Sequence, residues 1–218
     1  MARLLARILA PALIAAALPA LAAVETREVG AFRAFSLAAP IDVDLALADR
    51  ESVTLEGDEK LIARLEAVVE DGVLKLRTRR GMEWNWQWGP TEGVRARVTA
   101  KRLDAVSISG AGDIRVSELR GESVALTISG SGDVDVRGGR VGSLDVTISG
   151  SGDIRSPRLE AQRVSVSISG SGDATVWARE SLSVKVAGSG DVRFYGDPAV
   201  QSRIAGSGEV RRLGAAPG

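Results

Sequence analysis

The 218-residue sequence predicts an all-β protein, and two observations carry that prediction. A Gly-rich octamer occurs six times, first as Ser107-Ile108-Ser109-Gly110-Ala111-Gly112-Asp113-Ile114, then at Thr127 to Val134, Thr147 to Ile154, Ser167 to Ala174, Lys185 to Val192 and Arg203 to Val210. Between the octamers apolar and polar residues alternate, the period of a strand buried on one face. The first glycines of successive copies are 20 residues apart as far as Gly170 and 18 apart from there to Gly206. A fixed period of this length marks a supersecondary unit that buries its apolar face by stacking on its neighbours.

Residues 1–22 read as an export signal. Arg3 and Arg7 make a basic start, Ile8 to Leu18 an apolar run, and Ala20-Leu21-Ala22 a small-x-small cleavage site. The apolar run is too short to span a bilayer, so cleavage is expected and no integral membrane segment remains in the mature chain. Residues 23–100 form a mixed opening. Ile41, Val43, Leu45 and Leu47 alternate with Asp42, Asp44 and Ala46 as a strand, and Val53-Thr54-Leu55 is a second, shorter one. Asp58 is expected to cap a short helix in which Leu61, Ile62, Leu65, Val68 and Val69 share a face, ended by Asp71-Gly72. Strands return at Val73 to Arg77 and Val94 to Val98.

Between those last two strands, Trp84, Trp86 and Trp88 alternate, so in an extended conformation the three indoles point one way. Two uses fit. The tract is a lid over a strand edge or an open core end, the commoner use of large aromatic area, or it is a ligand platform on which sugars stack.

The repeats occupy residues 101–213, with a short tail at 214–218. In each repeat the apolar residues share one parity, as in Val124, Leu126, Ile128, Val134 and Val136, and that parity runs through Gly130 and Gly132. The chain therefore bends where inward positions carry no side chain. Val136 to Leu144 spans 8 positions, whereas Val176 to Leu182 spans 6, so the shorter repeats lose residues in the return turn and keep the Gly corner. Two architectures fit. A parallel β-helix would stack repeats at roughly 4.8 Å, giving a column about 29 Å tall. An array of hairpins with three-residue turns at the glycines also keeps the apolar faces together; the helix is favoured.

The outward parity carries Asp113, Asp133, Asp153, Asp173, Asp191 and Glu209, which a stacked fold aligns in one column. Like charges at such spacing repel by about 1 kcal/mol per neighbour even in water. The favoured compensation is an interleaved ion-pair network, because Arg115, Asp135, Arg155, Thr175, Arg193 and Arg211 stand two positions further on, with Asp135 between Arg115 and Arg155 of adjacent repeats. Asp after Gly also accepts local backbone N–H groups. The alternative is Ca²⁺ held by Asp113, Asp133, Asp153, Asp173 and Asp191, as in Gly-Asp-rich β-rolls, although their calcium repeat is nine residues with a different Gly pattern.

With 28 basic and 28 acidic side chains there is no electrostatic case for nucleic acid as a partner. With no His and no Cys, Ser-His-Asp relays, Cys nucleophiles, disulfides and ordinary zinc, haem or iron–sulfur sites are excluded. A carboxylate enzyme acting on polysaccharides needs unlike acids in one cleft, whereas the column supplies near-equivalent ones. No catalytic residue and no cofactor is assigned.

The S-I-S-G-S-G-D repeats behind this opening, with Glu28-Val29-Gly30-Ala31-Phe32, Ile41-Asp42-Val43, Gly72-Val73-Leu74-Lys75-Leu76 and all six Gly corners, resemble the bacterial head GIN domain family from about Val29 to Leu213. Its members are labelled auto-transporter adhesins or exported proteins of unknown function. The resemblance implies a right-handed parallel β-helix and supplies no site residues. No membrane-barrel strands follow the repeats, so the chain is not expected to secrete itself. The expected role is an exported, non-catalytic envelope protein in the periplasm or at the cell surface, adhesin-like, with a glycan or an envelope protein as partner. The alternatives are a polysaccharide-active β-helix enzyme and a purely structural periplasmic protein.

Overall fold

A computed structural model describes residues 23–79 and 93–216. The opening segment contains β1 (Ala23–Arg27), β2 (Ala34–Ala38), β3 (Asp42–Leu47), β4 (Ser52–Gly57), α1 (Glu59–Ile62), β5 (Leu65–Glu70), β6 (Val73–Thr78) and β7 (Val94–Ala100). Asp58 caps α1, its carboxylate accepting the N–H groups of Lys60 and Leu61 at 2.8 and 3.2 Å. The helix stops at Ile62, however, and the residues expected to continue it form β5, antiparallel to β6. Two local preferences override the helical spacing. Val68 and Val69 are β-branched and favour a strand, and Asp71 and Gly72 both adopt positive φ, 52° and 75°, which suits a two-residue hairpin turn.

The repeats contribute β8 (Ala105–Gly110), β9 (Ile114–Val116), β10 (Leu119–Gly130), β11 (Val134–Val136), β12 (Gly139–Gly150), β13 (Ile154–Gly170), β14 (Ala174–Gly188), β15 (Val192–Tyr195), β16 (Ala199–Gly206) and β17 (Val210–Gly214). Every strand before a Gly corner pairs in parallel with the equivalent strand one repeat on, which aligns Ile108, Ile128, Ile148, Ile168, Val186 and Ile204 in one column. The strands after the corners form a second parallel column, with Ile114, Val134, Ile154, Ala174, Val192 and Val210 in line. Parallel pairing between repeats, not hairpin pairing within them, makes this a β-solenoid and removes the hairpin array.

The solenoid extends into the opening segment, but not in chain order. β2 and β3 pair in parallel with β8 and β9 and so form the level next to the first repeat. β6 and β7 lie on the far side of β2 and β3, also parallel. Lys101 to Asp104 then carry the chain back past one level, with Leu103 buried.

Inward residues make one continuous core, nearly all of it without solvent contact. Among the described residues the exception in kind is Ser156, fully buried in the position that Val136 and Val176 occupy 20 residues either side; its hydroxyl donates to Thr175 O at 3.1 Å, so it is not orphaned. The change in repeat length lies where the turn spacing placed it. Arg155 to Glu160 faces Thr175 to Trp177, and Ala161 to Arg163 faces Ala178 to Ser181. The shorter level drops three positions in the turn and regains one at the next bend, leaving both columns in register.

The two ends differ. At the N-terminal end β5 lies antiparallel on β6, β4 on β7 and β1 on β4, and Arg27 reaches across to donate to Leu65 O at 2.9 Å. At the C-terminal end the last level breaks the apolar columns twice. Ser202 follows Val184 at an inward position, and Arg212 lies over Phe194 and donates to Gly196 O at 2.6 Å. Every residue of β16 is exposed. Atypical terminal repeats are what a solenoid needs where its core meets water.

Candidate functional site: the acid ladder at the glycine corners

The corner brings successive levels close because it is built of glycine. At Gly132 an added Cβ would overlap the carbonyl oxygen of Gly112, and at Gly130 that of Gly110, with Gly130 also at φ 143°. Glycine is therefore required by the approach of one backbone to the next, a stronger demand than the empty inward position read from the sequence. The approach is fastened by Ser131 N–H donating to Gly110 O at 2.9 Å and by its counterparts from Ser151, Ser171, Ser189 and Ser207.

This spacing turns the column of acids into a hydrogen-bonded ladder. The N–H of Asp133 donates to Asp113 Oδ1 at 3.0 Å; Asp153, Asp173, Asp191 and Glu209 each donate in the same way to the acid one level before, all at 2.9 Å. The second carboxylate oxygens meet arginines. Arg155 donates to Asp133 Oδ2 at 2.9 Å and Asp153 Oδ2 at 2.6 Å, and Arg193 to Asp173 Oδ2 at 3.0 Å and Asp191 Oδ2 at 3.1 Å. At the first level Arg115 donates to Asp42 at 3.1 Å.

Hydrogen bonding to Asp133 raises Arg155 above its ordinary value against some loss of solvation, and Asp42 does the same for Arg115. These guanidiniums stay charged at any pH at which the protein would be handled. The expected network is therefore present, with two corrections. The N–H groups that the acids accept are those of the next level, not local ones. Asp135 does sit in register between Arg115 and Arg155, but Arg155 turns its guanidinium to Asp133 and Asp153.

In the four middle acids both carboxylate oxygens are thus engaged, one by a backbone N–H and one by a guanidinium, Asp133 and Asp173 taking the arginine of the next level and Asp153 and Asp191 that of their own. Among the described residues no three acids gather as a cation site. A cation entering between the four middle acids would have to displace a backbone N–H or a guanidinium. Low millimolar calcium is accordingly expected to leave the Tm where magnesium leaves it, as measured by differential scanning fluorimetry; a rise with calcium alone would mean that the carboxylates turn outward to bind it.

A cleft of about 630 Å³ lies beside the start of β7, and it contains the acids Asp42 and Glu56. Asp42 is held by Arg115 at 3.1 Å and Glu56 by Arg97 at 3.2 Å, so neither acid is unpartnered. Trp84, Trp86 and Trp88 lie outside the described residues. Of the described residues, Arg77 near the end of β6 stands beside Ala38, and Arg95 near the start of β7 beside Asp42. One aromatic pair was missed in the sequence: Trp177 and Tyr195 stand in register on the outward face of β14 and β15, both partly exposed. The signal for it was the outward parity two positions beyond Thr175 and Arg193. Among the described residues no helix is long and apolar enough to cross a membrane.

Solved structures share this fold. A protein described as a putative adhesin from Bacteroides fragilis is 20% identical, with 88% of this chain and 97% of that one covered and a TM-score of 0.72. A putative adhesin from Parabacteroides distasonis is 21% identical over 88% and 97% of the two chains, TM-score 0.57. A putative lipid binding protein from the same species is 18% identical over 89% and 98%, TM-score 0.53. Among curated proteins none matches the chain. The family model described as "Putative auto-transporter adhesin, head GIN domain" matches residues 31–198, from the level of β2 through the fifth corner, and the chain belongs to that family.

Proposed function

We propose that this protein is an exported, non-catalytic component of the cell envelope that binds a glycan or an envelope protein in an adhesin-like role. The observation that carries the reading is the acid ladder. General acid–base work on a sugar needs two carboxylates held in different states, whereas here Asp133, Asp153, Asp173 and Asp191 repeat one arrangement, each spent on a backbone N–H and a guanidinium. Membership of a family described as adhesins supports the binding role, and the basic start and apolar run of residues 1–22 support export.

The test presents the purified protein, immobilised, to envelope polysaccharides and envelope protein fractions while reducing ends are assayed. Saturable retention without new reducing ends is expected. Release of reducing ends that Asp153→Asn abolishes would make the protein an enzyme, and absence of retention would leave only a structural role. A Trp84/Trp86/Trp88→Ala variant decides between the two uses of that tract. Lost retention at an unchanged Tm marks a platform, and a lowered Tm marks a lid.

A further inference from the structure

We infer that the open C-terminal end of the solenoid is a docking surface for a second copy of this chain, joined by antiparallel pairing of β16 with its equivalent about Ser202. Among the described residues β16 pairs with β14 alone, and without a register shift, so its other edge is straight and unpaired. The direction of its backbone groups follows from the repeat. Ala125 N–H donates to Asp104 O on the level before, and Ser207 N–H to Gly188 O. The same parity turns Gln201, Arg203 and Ala205 back towards β14. Val200, Ser202 and Ile204 therefore project their N–H and C=O groups off the end. No proline, bulge or inward charge blunts this run, the devices by which proteins protect an edge. β17 beside it is protected: its pairing is bulged between Phe194 and Tyr195, and Arg212 lies across the core.

The side chains select the occupant. Val200 and Ile204 are 43% and 38% exposed, although they stand in the inward columns above Leu182 and Val186. Placing Ser202 opposite its own equivalent sets Val200 against Ile204 twice and Gln201 against Arg203 twice. The free groups of Val200, Ser202 and Ile204 then exchange N–H···O bonds in pairs. A register centred on Arg203 sets two like charges face to face, and one centred on Gln201 sets Val200 against Ser202. Registers centred on Val200 or Ile204 also keep the arginines apart, but each joins a single apolar pair and leaves part of the strand overhanging. The Ser202 register joins two apolar pairs and exchanges the free groups of all three residues. Such an interface is isologous and closes as a dimer, not a fibre.

The sequence has no Cys, which makes the register directly testable. In an antiparallel hydrogen-bonded pair the opposed Cα atoms are about 5.5 Å apart, within the roughly 4.4–6.8 Å that a disulfide spans. The purified protein is expected to sediment as a dimer. Ser202→Cys is expected to convert to a disulfide-linked dimer under mild oxidation, while Ser129→Cys, exposed on the side of the stack, does not. Ile204→Lys, which removes no internal hydrogen bond, is expected to give a folded monomer. A wild-type protein that is monomeric at every concentration, or Ser202→Cys crosslinking no better than Ser129→Cys, overturns the inference. So does a dimer that Ile204→Lys leaves intact, or a monomer that recruits its strand from a different protein.

Discussion

Gly130→Ala is expected to be among the most damaging single substitutions in the chain, and Gly110→Ala to be much milder, although the two residues hold equivalent places in successive repeats. Both adopt a φ that side chains avoid, 143° and 129°, and that strain costs about 1–3 kcal/mol at either site. They differ in what an added Cβ meets. At Gly130 it overlaps the backbone of Gly110, which has no side chain to swing aside, while at Gly110 nothing lies within 4 Å, the bend on the level before coming close at Gly112 instead. Relief at Gly130 requires the two levels to separate, against the Ser131 N–H to Gly110 O bond and the Asp133 N–H to Asp113 bond. Overpacking of this kind adds about 3 kcal/mol. Gly132→Ala carries the packing cost without the conformational one, since its φ is not positive. Urea unfolding of the three variants checks this; equal losses at Gly110 and Gly130 would show that close approach is not what the glycines serve.

The second large effect concerns the ladder. Asp153→Ala leaves the Asp173 N–H without its acceptor and Arg155 with one carboxylate in place of two. Stranding a donor costs about 1–3 kcal/mol when buried, and with the Asp153 side chain 29% exposed the loss is expected in the lower half of that range. Asp153→Asn keeps an oxygen for the Asp173 N–H and removes one of a row of like charges, but sets its NH2 against Arg155, which retains Asp133. With the Arg155 side chain half exposed and able to turn away, the loss is expected to stay below about 1 kcal/mol and below that of Ala. The contrast separates structure from chemistry. A carboxylate kept for its charge, as nucleophile or cation ligand, would make Asn as harmful to function as Ala, whereas a ladder rung tolerates Asn in both stability and binding.

The sequence made the solenoid legible because stacking imposes a period, and a period survives in a single chain. Ile128 and Ile148 share a column for the same reason that they are 20 residues apart. Other features depend on distances that no pattern carries. That Asp153 would accept the N–H of Asp173 follows from how closely two corners approach, which glycine permits but does not announce. Arg155 choosing Asp133 and Asp153 over Asp135 is a matter of side-chain reach across levels. The false continuation of α1 arose because Leu65, Val68 and Val69 satisfy a helical spacing while the Asp71-Gly72 turn requires a hairpin. The inverted order of β2–β3 and β6–β7 is set by tertiary pairing alone. Ser202 and Arg212 break otherwise apolar columns, a signal that the reading of the sequence did not use, and the structure explains them as the end of the core.

From Asp113 to Glu209 the outward acids form a continuous hydrogen-bonded ladder. Residue-resolved amide hydrogen exchange by NMR tests it most directly, because the ladder is made by the N–H groups of Asp133, Asp153, Asp173, Asp191 and Glu209 on the surface of tight corners. Bonded to the carboxylate one level before, these five amides are expected to exchange slowly, and Asp153→Ala to release the Asp173 amide while Asp153→Asn does not. Exchange of all five at the rate of an exposed loop would contradict the ladder and return the acids to the list of free functional groups.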